Sequence, residues 1–455
     1  MLNKMGLTLS LFLLLTLAIG LGTAQATTKD NKTSAVNIFT QAAGLAAQQA
    51  GDIRTLHNVT RRQLDGNVYE YSIVLQIGPG QYDQIGVHRI VKEESPWVPI
   101  AAEEAVMMIH GDSSNFDSAF ATPPGQPASG SLGAFLAQKG IDVWGIDLRW
   151  TFVPDTATDF SFMKNWDTSR HVKDIKLAVK LARTTRALTG SGHGKIFMLG
   201  HSRGAQFLYA YANKESQLPK PARDLKGIIP MDMVYKFSSA DIQLAQAALE
   251  RYHAYKSLYD SGTYVSNDGQ NLKGLAWLAA SDPDGMSTVI PGFTNKQAAL
   301  FVLTATYATY QPLQPITPFY HYLAGTFDDY GLPEGFQFVA QLDKIIGIAS
   351  ASPSFQSLGE IIDGEAINSG TVEVPYDDHL ADITLPVLYV GAAGGMGEHG
   401  VYSTTLLGSS DVTIQVVKLA TAGAEALDFG HADLIWADNA EALVWEPIYN
   451  WLKQR

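Results

Sequence analysis

The sequence predicts an α/β fold: a mostly parallel central sheet flanked by helices, interrupted by an inserted helical segment. Three observations carry this. Short, almost wholly apolar runs recur at Ala105–Ile109, Ile141–Ile146, Lys195–Leu199 and Gly227–Pro230, as expected of strands covered on both faces. Helix-forming stretches with short loops alternate with them, the pattern of parallel strands joined by crossovers. The alternation stops near Val234 and resumes with apolar runs at Leu385–Val390 and Val412–Leu419.

From the N-terminus, Met1–Lys4 carries one positive charge, Leu7–Leu21 is nearly all apolar, and Ala24-Gln25-Ala26 follows. This order reads as a secretory signal peptide over residues 1–26, cut after Ala26, and implies a secreted or periplasmic protein. The apolar run is shorter than the roughly 20 residues a spanning helix needs, and no later segment is apolar enough to replace it. Residues 27–233 form the first part of the sheet domain. Within them, Thr27–Asp65 is polar and alanine-rich and reads as a short helix and a lead-in. Tyr69–Ile77 and Gln84–Val91 alternate apolar and polar residues around Gly78-Pro79-Gly80, a hairpin signal. Leu132–Lys139 is helical, and Thr168–Leu188 is a long helix with apolar residues at Val172, Ile175, Val179 and Leu181. Residues 234–380 read as a helical cap, with helices at Ala240–Tyr259, Lys296–Tyr307 and Phe336–Ile346 and many aromatics, among them Tyr255, Trp277, Phe301 and Tyr322. Residues 381–455 return to the sheet domain and end in a helix over Asn439–Leu452.

Composition removes several classes of function. The chain of 455 residues is 46% hydrophobic and 17% charged, with a formal net charge of −13 spread along its length. That is a globular composition, without the basic face that nucleic acid requires. There is no cysteine, so thiolate nucleophiles, thiolate metal sites, disulfides and a lipoprotein anchor are excluded, and stability must come from a large core. No H-E-x-x-H and no spacing of metal ligands occurs, so neither metal nor cofactor is expected. Ser281-Asp282-Pro283-Asp284-Gly285 is too short for a calcium loop.

The stretch that carries chemistry is Gly200-His201-Ser202-Arg203-Gly204, between the strand Lys195–Leu199 and a helix beginning at Arg203. A serine hydroxyl is a poor nucleophile unless a base takes its proton and the group stands clear of its neighbours. A sharp strand-to-helix turn exposes it. Such a turn brings residues 200 and 204 so close that only glycine fits, and it aims the first N–H groups of the helix at the space beside the serine.

With this motif the sequence resembles the α/β-hydrolase superfamily, over most of the chain after Tyr69. Three further features match. Ala105–Ile109 ends in His110-Gly111-Asp112, where the family commonly has a His-Gly and an oxyanion-hole donor. Val143-Trp144-Gly145-Ile146-Asp147 looks like its next strand. Asp428-Phe429-Gly430-His431-Ala432-Asp433 stands after the last strand, where the family keeps its catalytic histidine. The resemblance implies Ser202 as nucleophile and His431 as general base. It also implies an oxyanion hole from the N–H of Gly111 or Asp112 together with that of Arg203. His201 is expected to point away from the serine, His110 to shape the oxyanion loop, and Asp433 to cap the final segment. For the acid, the first carboxylate after Leu385–Val390 is Glu398, beyond the run Gly391-Ala392-Ala393-Gly394-Gly395-Met396-Gly397, and it is the first choice if that loop folds back. Asp232, at the end of Gly227–Pro230, is the alternative. The implied activity is cleavage of a small, partly apolar carboxylic ester. An acyltransferase or a non-catalytic binding protein on the same scaffold are the alternatives.

Overall fold

The computed structural model describes residues 28–48, 55–122, 130–309 and 316–455. The expected signal segment lies outside them. A helix over residues 28–48 comes first. Nine strands then make the main path of the central sheet: β1 (Thr55–Asp65), β2 (Val68–Gln76), β3 (Gln84–Ser95), β4 (Ala105–Ile109), β5 (Asp142–Asp147), β6 (Ile196–His201), β7 (Leu225–Met231), β8 (Val387–Ala392) and β9 (Val412–Val417). Their spatial order is β1-β2-β3-β5-β4-β6-β7-β8-β9. The first three strands and the β3/β5 pair are antiparallel; every later neighbour pair is parallel.

β4, β5 and β6 are buried almost throughout because side chains alternate between two cores. Met107, Ile109, Ile196 and Met198 belong to the core on one face; Val106, Met108, Phe197 and Leu199 belong to the core on the other. Continuous apolar runs are what such two-faced burial demands. The helices α1 (Thr168–Leu188) and α2 (Arg203–Ser216) pack on the sheet, and α2 follows β6 with no loop but Ser202.

β1 corrects the expected lead-in. Its sequence, Thr-Leu-His-Asn-Val-Thr-Arg-Arg-Gln-Leu-Asp, buries only Val59 and Leu64. An edge strand wetted on both faces shows little alternation, so its pairing with β2 is what makes it a strand.

Between β7 and β8 the chain forms α3 (Ile242–Asp260), α4 (Asp268–Ser281), α5 (Asn295–Thr304), α6 (Leu342–Ala351) and α7 (Leu358–Ser369). The helix expected over Phe336–Ile346 is displaced: Pro333–Phe336 is a short strand paired with Gly325–Phe327, and α6 begins at Leu342. α4 and α7 were not anticipated. Among the described residues, no helix is long and apolar enough to cross a membrane.

Candidate active site

The candidate catalytic and oxyanion residues other than Glu398 gather at the carboxyl ends of β4, β6 and β7 and in the segment after β9. This is the edge where open parallel sheets form clefts. The backbone there is unusual. Four described non-glycine residues have positive φ, and three of them are Ser113, Ser202 and Asp232, at 51°, 56° and 45°. Such conformations cost free energy and persist where surrounding structure enforces them.

The turn at Ser202 is tight. A Cβ on Gly200 would lie 2.2 Å from the carbonyl oxygen of Gly204, and one on Gly204 would lie 2.0 Å from that of Ile109. Gly111 stands against the serine: a Cβ there would lie 2.7 Å from the Ser202 Cβ and 3.2 Å from its Oγ. The loop at Gly111 and Asp112 is fixed by His110. The Leu148 N–H donates to its Nε2 at 3.3 Å, so Nδ1 carries the proton and donates to the Gly111 carbonyl at 3.0 Å. Burial, acting against nearby carboxylates, depresses the His110 pKa and favours this neutral form. Ser114 donates to the same carbonyl. The peptide plane between Gly111 and Asp112 is thereby held, with its N–H directed opposite the bonded carbonyl. No described residue accepts the N–H of Asp112 or of Arg203.

Asp232, not Glu398, is the carboxylate beside His431. Asp232 Oδ2 lies 2.6 Å from His431 Nδ1, with both side chains buried. Glu398 is exposed in the helix Gly397–Thr405, α8. The glycine-rich run after β8 does fold back, but its backbone is what arrives: the N–H groups of Ala392, Met396 and Gly397 donate to Asp232 Oδ1 at 2.9, 3.2 and 3.0 Å, and that of Met396 to Oδ2 at 3.0 Å. A Cβ on Gly395 would lie 2.1 Å from Asp232 Oδ2, so only glycine admits this approach. Burial alone would raise the Asp232 pKa; the hydrogen bond and charge of His431 and these N–H groups outweigh it and hold the carboxyl below its ordinary value.

His431 is braced from the insertion. Its N–H donates to the His321 carbonyl at 3.0 Å, and that of Ala432 to the Tyr322 carbonyl at 2.7 Å. Residues 316–324, marked in the sequence only by aromatics such as Tyr322, also reach the glycine loop: the His321 N–H donates to Gly394 and the Thr317 hydroxyl to Gly395. His201 is turned to His431. Its Nε2 lies 3.1 Å from the His431 carbonyl oxygen, its ring is 4.5 Å from the His431 ring, and burial followed by the nearby imidazole lowers its pKa to about 3. Asp433 makes no cap; its Oδ2 accepts the N–H groups of Gly430 and Ala324 at 2.7 and 2.8 Å. Among the described residues nothing hydrogen-bonds the Ser202 hydroxyl or Nε2 of His431. The Ser202–His431 bond that the sequence reading requires is therefore not made in this structure.

Beside Asp112 and Tyr322 opens a cavity of about 480 Å³ under the insertion, walled by aliphatic side chains such as Leu272, Val302, Leu303 and Ile345 and by polar ones such as Asp268 and Asn271. The walls are more aliphatic than the aromatic-rich sequence suggested; Trp277 is 65% exposed. Away from this site, Glu70, His88 and Asp117 lie within 4.8 Å of one another, close enough for a metal. The Arg62 guanidinium already occupies that place, donating to Glu70 and Asp117 at 2.5 and 2.6 Å.

No family profile and no curated protein matches the chain by sequence. Solved structures align with it at low identity, and the first of those below shares its fold. A lipase candidate from Sulfolobus solfataricus aligns at 17% identity over 88% of this chain and 99% of its own, with a TM-score of 0.57. A soluble variant of monoglyceride lipase from Saccharomyces cerevisiae aligns at 12% identity over 89% and 97%, with a TM-score of 0.43. The Paleococcus ferrophilus monoacylglycerol lipase aligns at 15% identity over 78% and 96%, with a TM-score of 0.39.

Proposed function

Because the chain has the fold of the α/β-hydrolase superfamily, we propose that it is an exported serine hydrolase cleaving a carboxylic ester. The observation that carries this is the conjunction at one sheet edge of a strained serine on a strand-to-helix turn and a buried His431–Asp232 pair. In the proposed reaction His431 Nε2 takes the proton of Ser202 as its Oγ attacks the ester carbonyl. Asp232 fixes the tautomer by accepting Nδ1–H and stabilises the imidazolium. The N–H groups of Arg203 and of Gly111 or Asp112 receive the oxyanion. Collapse breaks the C–O bond, and the imidazolium returns its proton to the departing alcohol. Water, activated by the same histidine, then releases the acid from the acyl-enzyme.

The cavity under the insertion supports an apolar acyl or alcohol portion. Export rests on the sequence order of residues 1–26. The test is Ser202→Ala. Turnover of a short p-nitrophenyl ester should fall by about 10⁶-fold, and labelling by a fluorophosphonate should disappear. Retained turnover or retained labelling would remove Ser202 as nucleophile.

A further inference from the structure

Arg203 is placed where helix electrostatics disfavour it. It is the first residue of α2, and a cation at a helix N-terminus meets the positive end of the dipole. A residue that breaks a local rule inside a strained site calls for a compensating contact. Here the contact is Asp112, the residue after Gly111. Arg203 donates from Nε and Nη2 to the two oxygens of Asp112, each at 3.1 Å, in the paired geometry that fixes direction as well as distance. Its third arm, Nη1, donates to Gln206 at 2.5 Å.

The same carboxylate has a second partner far away in the chain. Gln356, in the insertion, donates through Nε2 both to Asp112 and, at 2.7 Å, to Glu360. Glu360 is fully buried, accepts from Ser357 at 2.6 Å and lies 2.5 Å from Nε2 of the equally buried His171 on α1. Gln356 is therefore anchored to the core domain rather than swinging from a loop. α7 also closes over the guanidinium: a Cβ on Gly364 would lie 1.7 Å from Arg203 Nη1.

We infer that Asp112 is a positioning residue, whose carboxylate ties the oxyanion loop to the helix behind Ser202 and to Gln356 of the insertion. The insertion thus helps set where the two oxyanion donors stand, besides shaping the cavity. This rests on the hydrolase reading, because it assigns a role in that reaction.

The full chain is tested as Asp112→Asn, as Gln356→Met and as Arg203→Gln combined with Asp112→Asn. For a short p-nitrophenyl ester, Asp112→Asn should lower kcat about 30- to 100-fold, approaching the loss of one oxyanion donor, with KM held within about threefold. The pH at which activity rises should not move, since the His431–Asp232 pair is untouched. Gln356→Met should lower kcat by several-fold in the same manner, and the double variant should be little worse than Asp112→Asn alone. Hydrogen exchange, measured in a Ser202→Ala background and so independent of turnover, should quicken at amides 110–116 in both Asp112→Asn and Gln356→Met. An active wild type whose kcat is unchanged by Asp112→Asn, or whose loss appears in KM, overturns the positioning role alone. Unchanged exchange at 110–116 in both variants overturns the tie. A wild type with no Ser202-dependent turnover overturns the hydrolase reading, and the positioning role with it, even where exchange shows the tie.

Discussion

The two halves of the candidate site are built by different means. On the sheet side, position is imposed by backbone: Ser202 and Asp232 sit in strained conformations directly after strands that are buried almost throughout, and glycines bring main chain into contact where no side chain fits. These parts rest on two large cores that sandwich the sheet. On the insertion side, helices pack in small separate clusters around Leu303, Ile345 and Leu275, and touch the site through a few bonds from residues 316–324 and from Gln356. Small clusters open more readily than a continuous core. The sheet half therefore suits the part of a reaction that must not vary, and the insertion suits recognition. Substitutions on the two sides should separate chemistry from selectivity.

The largest effect expected on the sheet side, beyond loss of the nucleophile itself, is at Asp232. In Asp232→Asn one side-chain position must become a donor, although all its partners are donors: three backbone N–H groups and the His431 imidazole. Either the amide clashes with those N–H groups or His431 is turned to the wrong tautomer. By comparison with other triads, kcat should fall about 10⁴-fold. Glu398→Gln, at an exposed position of α8, should change kcat by less than about twofold. Steady-state kinetics on one p-nitrophenyl ester decides between them, and the reverse ranking would return the acid role to Glu398.

That pair also shows what the sequence could and could not express. The elbow was legible because its constraint is local: Gly200 and Gly204 are four residues apart, and their contact follows from the turn itself. The sheet was legible because burial on both faces leaves unbroken apolar runs. Which carboxylate stands beside His431 was not, because the reason for the glycines at 391–397 lies beyond another strand, at Asp232. In the sequence they look like slack that could carry Glu398 back to the site, whereas they bring N–H groups to a carboxylate that is some 160 positions away in sequence. The positive φ that aims Asp232 leaves no mark in its residue type. β1 was missed for want of alternation, and residues 316–324 because their bonds to Gly394, Gly395, His431 and Ala432 are made by backbone or by one threonine, which no side-chain pattern announces.

A smaller effect, and a different kinetic signature, is expected from filling the cavity. Val302 lies on its wall and is only partly buried, so a larger side chain can enter the space without first displacing a close-packed neighbour. Val302→Trp should raise KM about tenfold for a p-nitrophenyl ester with a long acyl chain, while leaving kcat/KM for the acetate within about twofold. Equal losses on both esters would mean that the cavity does not receive the acyl chain, and would blur the division between the two halves.

The smallest effect concerns the bond that joins them. Asp433 Oδ2 accepts an N–H from Gly430, beside His431, and another from Ala324 of the insertion. Burial raises its pKa to about 7, against the partial relief of those two bonds. With the folded value above the unfolded one, the fold favours the protonated acid. The stabilisation is complete below the unfolded pKa, near 4, and is lost as pH rises through about 7. Three units correspond to at most about 4 kcal/mol, a shift of several degrees in melting temperature for a chain of this size. Asp433→Asn retains an oxygen for the two N–H groups and cannot ionise. Wild type should lose melting temperature between pH 5 and pH 8, and the variant should lose less. The variant will not be flat, because Asp117, Asp363 and Glu215 are raised too, to about 7, 6 and 6, by burial first. Parallel slopes in scanning calorimetry would show that Asp433 is already ionised in the fold. The tie between insertion and base would then be a charged one that holds across the whole range.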